Sequence, residues 1–79
     1  MRRVNQPISV QVQDSRPARI SWNDEVLQVE ELIKCWVHQT GWWNPEGGER
    51  RIYYRLKVGG SVVDIYRSEE AWKIARVID

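Results

Sequence analysis

A single cysteine, Cys35, stands among the 79 residues, so no disulfide can form within the chain, and a domain of this size must hold together by packing alone. That usage suits a reducing compartment. There is also one histidine, His38, and Cys35 with His38 makes two ligands where a structural zinc site needs four at recognisable spacing. No metal and no other cofactor is expected. Phenylalanine is absent, so the aromatic content is five Trp and three Tyr, each with an N–H or O–H that needs a partner or a place at the rim. No apolar run approaches the ~20 residues that span a bilayer. The opening Met1-Arg2-Arg3 is followed by polar Asn5 and Gln6 rather than by a signal-peptide core. A soluble, cytoplasmic protein without a membrane role is the expectation. Charge of one sign is lacking as well, since twelve Lys and Arg against eleven Asp and Glu leave +1. That balance argues against a large basic footprint of the kind that grips duplex nucleic acid, while a local basic strip remains open.

What is present reads as strands. Ile8, Val10 and Val12 alternate with Ser9, Gln11 and Gln13 from Pro7 to Asp14, the pattern of a half-buried strand, and residues 1–6 before it read as an N-terminal tail. Turn residues follow from Asp14 to Pro17, and Ala18, Ile20 and Trp22 then alternate up to Asn23-Asp24. The stretch from Glu25 to Gln39 is ambiguous. Val26, Val29, Leu32, Ile33, Trp36 and Val37 fall at helical spacing, with Asn23 as a cap and Gly41 as a stop. A two-residue hairpin at Asn23-Asp24, however, sets Ile20 opposite Leu27 and Ala18 opposite Val29 on the face already read as buried. The alternation then slips at Glu30-Glu31, as a bulge in a long bent strand would make it. Beyond the slip, Leu32 and Trp36 share one face, and Ile33, Cys35 and Val37 the other.

The clearest local signal comes after the loop-like stretch from Gly41 to Glu49. Ile52, Tyr54, Leu56 and Val58 alternate with Arg51, Tyr53, Arg55 and Lys57, then Gly59-Gly60 leads into a second run from Ser61 to Arg67. Pairing across that turn sets Leu56 against Val63 and Tyr54 against Ile65 on an inner face. On the outer face it sets Arg55 against Asp64, Tyr53 against Tyr66 and Lys57 against Val62. One register serves both faces, and a slip by one residue would spoil both. Trp72 and Ile74 lead a last strand toward Val77.

Catalytic machinery is not visible. The serines have no triad partners, Glu30-Glu31 and Glu69-Glu70 read as a bulge and a solvated turn, and Gly47-Gly48 and Gly59-Gly60 lack the following helix and Lys of a phosphate loop. The chain is not expected to be an enzyme, and no small-molecule substrate is evident. Two surfaces are candidates for binding. Arg51, Tyr53, Arg55, Lys57 and Tyr66 interleave cations and rings on one sheet face, which suits single-stranded nucleic acid, because bases stack on rings while cations follow phosphates. The rival reading is that the Tyr pair only stabilises the sheet and Asp64 neutralises Arg55. Trp42 and Trp43 are adjacent, so both cannot easily point into one core, and an exposed Trp anchors protein interfaces. The rival there is that they plug a barrel end. Trp22, Trp36 and Trp72, in phase with other apolar residues, read as core.

The series Pro7-Ile8-x-Val10, Pro17, Ile20-x-Trp22, Leu27-x-Val29-Glu30-Glu31, Trp36, Trp42-Trp43, Tyr53-Tyr54-Arg55, Asp64-Ile65-Tyr66-Arg67 and Trp72-x-Ile74-x-Arg76-Val77-x-Asp79 resembles a small bacterial domain-of-unknown-function family. That family occurs alone or in association with the Y-family-polymerase-like mutasome protein ImuB. The chain departs from its pattern at Asn23-Asp24, where a Gly-containing turn is usual, and from Asn44 to Arg50. The resemblance implies a strand for residues 25–39 and a setting in translesion DNA synthesis or DNA repair.

The expectation is therefore an all-β fold: residues 7–79 form a single small antiparallel meander of about six strands, strongly bent and partly closed like a small barrel. The alternative is an α+β fold with a helix at 25–39. The expected function is a non-catalytic interaction module. It binds a protein partner, such as a polymerase-like mutasome component, or itself, through Trp42 and Trp43. The alternative function is single-stranded nucleic-acid binding through Arg51, Tyr53, Arg55, Lys57 and Tyr66.

Overall fold

The computed structural model describes residues 2–39, 50–69 and 71–78. Three two-residue turns set its architecture. Asp14 and Ser15, Asn23 and Asp24, and Gly59 and Gly60 all take positive φ, as a type I′ hairpin turn requires at both central positions. Asn23-Asp24 makes this turn without glycine, because Asn and Asp tolerate the left-handed region better than other side chains do. These turns join β1 (Arg2–Gln13) to β2 (Arg16–Trp22), β2 to β3 (Glu25–Gln39), and β4 (Arg50–Val58) to β5 (Ser61–Ser68). A last strand, β6 (Ala71–Val77), follows β5.

The strands pair in chain order, and β6 returns to β1, so the sheet closes into an antiparallel barrel. Closure goes further than the partial closure expected from the sequence. It also corrects the reading of residues 1–6 as a tail: Arg2 lies opposite Val77, Arg3 opposite Arg76 and Gln6 opposite Ile74, so β1 begins at Arg2. Residues 25–39 are strand throughout, and Ile20 faces Leu27 as the hairpin register requires.

Two strands serve both ends of the barrel. The first half of β1 pairs with β6 and its second half with β2. β3 pairs with β2 only from Glu25 to Gln28, and from Val29 to Gln39 it pairs with β4. One wall is thus a five-strand layer running β1–β6–β5–β4–β3, with the later part of β3 as its edge among the described residues. The core fills the inside with Ile20, Leu56, Val58, Val63, Ile65 and Ile74, and Trp22, Leu27, Tyr54 and Trp72 pack against it.

Bulges set which side chains face out. The expected slip is present at Glu30, between the pairs Val29–Val58 and Glu31–Lys57. Glu30 then accepts a hydrogen bond from the Gly60 amide at 3.1 Å. A second slip at Ile33 was not expected: Leu32 pairs with Leu56 on the inner face, but Lys34 pairs with Arg55 and Trp36 with Tyr53 on the outer face. Leu32 and Trp36 therefore lie on opposite sides of the sheet, and Trp36 is not core. A third slip, at Ala75, lets Ile74 face Ile65 inside while Arg76 faces Asp64 outside. Each extra residue bends its strand and increases local twist, which a small closed barrel demands.

Candidate nucleic-acid interface

The central hairpin has the register read from the sequence, with Leu56 opposite Val63, Tyr54 opposite Ile65, Arg55 opposite Asp64, Tyr53 opposite Tyr66 and Lys57 opposite Val62. β5 lies between β4 and β6, and four consecutive residues, Val63 to Tyr66, are buried. Val63 and Ile65 point into the barrel. Asp64 and Tyr66 point outward and are buried by their neighbours on the outer face.

Those neighbours form a row of rings across three strands. The Trp36 ring stacks on Tyr53 with centroids 5.2 Å apart and planes 5° from parallel. Tyr53 lies 5.2 Å from Tyr66 at a tilt of 36°, and His38 meets Tyr53 edge-on at 6.2 Å. The Arg51 guanidinium sits 4.6 Å from the Tyr66 ring centroid, and its Nη1 donates to the Tyr53 hydroxyl at 3.4 Å. Packed this way, Tyr53 is 8% exposed and Tyr66 3%. Aromatic pairs of this kind contribute roughly 0.5–1.5 kcal/mol beyond area burial. Trp36, at the β3 end of the row, is only half-buried.

A row of charge runs beside the rings. Asp64 is fully buried; it accepts from Arg55 Nε at 2.8 Å and Arg55 Nη2 at 3.1 Å, and Arg76 Nε lies 3.3 Å from its second oxygen. The Asp64 hydrogen bond holds the Arg55 guanidinium above its ordinary pKa, against the opposing effect of desolvation and with help from the carboxylate charge. Two guanidiniums share this one carboxylate. Lys34 and Arg55 each lie 5.5 Å from the Trp36 ring centroid.

Read through the registers, the outer face of the five-strand wall carries Lys34, Arg51, Arg55, Lys57, Lys73 and Arg76 against Glu31 and Asp64. Among the described residues, that face holds six cations against two carboxylates. Of the residues expected to form a nucleic-acid face, all five lie on this surface, but in different states. Lys57 is exposed, Arg51 and Arg55 are half-exposed, and Tyr53 and Tyr66 are too buried to receive a base. Sequence reading missed Lys34, Trp36, Lys73 and Arg76. The uneven spacing from Ile74 to Val77 was a usable signal for the Ala75 bulge, while nothing local marks the slip at Ile33. The expected anchors Trp42 and Trp43 lie outside the described residues.

Elsewhere, a recess of about 320 Å³ at one barrel end is lined by Trp22, Leu27, Val58, Val63 and Val77, among others. Another of about 550 Å³ lies between the start of β2 and the Glu30 bulge. Among the described residues, no three His, Cys, Asp or Glu side chains are placed to hold a metal ion.

In class, the chain is a closed six-stranded antiparallel barrel with a basic, ring-studded outer wall. No family model, no curated protein and no solved structure matches it.

Proposed function

We propose that this barrel is a non-catalytic binding module whose outer wall takes single-stranded nucleic acid. The observation that carries the reading is the gathering of cations on one face of a nearly neutral chain, beside a ring left partly open. Cations placed along strands can follow successive phosphates, and a sheet face is wide enough for an extended strand but offers no element that enters a duplex groove. Exposed Lys57 and half-exposed Lys73 stand on either side of the charge triad and are the sites to test, because truncating buried Tyr53 would damage the fold itself.

The experiment is a fluorescence-anisotropy titration of a labelled oligothymidylate at low and moderate salt. Affinity is expected to fall with a log–log slope of roughly 0.7 per phosphate neutralised. The variant Lys57→Glu with Lys73→Glu should weaken binding and flatten that slope. No binding at low salt, or binding indifferent to the double reversal, overturns the reading.

A second reading has its own support. Ile33 and Val37 on β3 are 45% and 51% exposed, on a stretch that pairs, among the described residues, only with β4. Exposed apolar residues on an open strand edge invite a protein partner by strand addition. The polymerase-like mutasome component implied by the family resemblance is the first partner to try, with Trp42 and Trp43 as anchors. If Trp42→Ala with Trp43→Ala leaves that partner's affinity unchanged in a folded protein, the anchor role is refuted.

A further inference from the structure

We propose that Trp36 is the platform on which one base of the bound strand stacks, with Lys34 beside it for the adjoining phosphate. This rests on the nucleic-acid reading above and names the group that recognises the base. Trp36, Tyr53 and Tyr66 form the stack on this wall, with the His38 ring edge-on to Tyr53, and the three stacked rings are not equivalent. Tyr53 is covered by Trp36 on one side and Tyr66 on the other, and Tyr66 is covered by Tyr53 and the Arg51 guanidinium. Neither offers a face. Trp36 ends the row, on a strand with no neighbour beyond it among the described residues, and keeps part of its surface in water.

A base arriving there adds one more ring to an existing stack. The platform is held in place beforehand, because the near-parallel contact with buried Tyr53 restricts the Trp36 side chain and little rotamer freedom is left to lose on binding. Two cations lie over the indole ring, each 5.5 Å from its centroid, so a base reaches that ring only where a cation moves aside, and Arg55 is held by Asp64. Lys34, exposed and on a flexible stem, is the one that can turn to a phosphate. Stacking reads any base by its π-face, so the site selects single strands without selecting sequence.

The test compares a labelled twelve-residue oligothymidylate with an abasic phosphodiester strand of the same length. The intact protein should prefer the base-bearing strand by about fivefold or more. Trp36→Leu should abolish the preference and leave the abasic affinity unchanged, while Trp36→Phe should retain part of it. Lys34→Ala should weaken both strands and reduce the salt slope by roughly 0.7. If Trp36→Leu weakens both strands equally, or leaves the preference intact, the platform assignment is overturned. Equal binding of both strands by the intact protein overturns it too, with the nucleic-acid reading standing. If neither strand binds, both fall.

Discussion

Replacing Asp64 by asparagine should move stability and binding in opposite directions. The Asp64 carboxylate is fully buried and takes three contacts from two guanidiniums, so its charge is balanced only within this triad. Hydrogen bonds to charged groups are worth roughly 1.5–3 kcal/mol, and an amide cannot serve two guanidiniums as a carboxylate does. Both arginine side chains keep 34% of their surface in water. Solvent screening there holds the expected loss near the lower end, about 2 kcal/mol. For a domain of this size that is a fall in Tm of about 8–16 °C. The same change adds one net positive charge to the outer wall. If the released guanidinium meets a phosphate, the salt slope for an oligothymidylate steepens by roughly 0.7 and affinity at 0.1 M salt rises about fivefold. Thermal unfolding followed by circular dichroism gives the first quantity. Anisotropy titrations well below Tm give the second. An unchanged Tm would show that the triad contributes nothing to the fold. A lowered Tm with unchanged or weaker binding would show that nucleic acid does not use this wall.

Other perturbations probe the fold. Ser15 holds φ at 64° in the first hairpin turn, a strained value for a side chain, so Ser15→Gly should raise stability by about 1 kcal/mol in urea unfolding. Leu56 is fully buried at the centre of the barrel, so Leu56→Ala should cost about 2–5 kcal/mol. Val26→Ala, at 65% exposure, should stay within about 0.5 kcal/mol; equal losses would contradict the assignment of the core. Burial first, and the nearby Cys35 second, push the Tyr54 hydroxyl pKa above its ordinary value, with Arg67 pulling the other way. The folded state therefore resists ionisation of Tyr54. Its contribution is complete below the unfolded pKa of about 10 and is lost as pH rises through the higher folded value. Tyr54→Phe should remove that part of the alkaline loss, read as the urea midpoint at pH 8 against pH 11.

Much of this architecture is written in local patterns. Alternation from Arg51 to Arg67 around Gly59-Gly60 gives one hairpin with a register that satisfies both faces, and Asn23-Asp24 gives another that sets Ile20 against Leu27. Because the side-chain period of a strand is two, those patterns admit a single register for each hairpin and favour an all-β fold, while the helical spacing from Val26 to Val37 left a helix at 25–39 open until the tertiary structure made it strand. Only the closed barrel decided the rest. Bending six strands into a closed wall requires extra residues at particular places; the slip at Ala75 left a trace in the uneven spacing from Ile74 to Val77, while the slip at Ile33 answers curvature with no signal in its own neighbourhood. Each slip exchanges faces for everything beyond it. Trp36 passes from core to surface in this way, and Arg76 comes to Asp64. Burial of Tyr53, Asp64 and Tyr66 on the outer wall likewise depends on strands packed at both sides of β4 and β5, which alternation along a single strand cannot reveal. Periodicity is a property of one strand and its turn, whereas the inside and outside of a barrel are properties of all six at once.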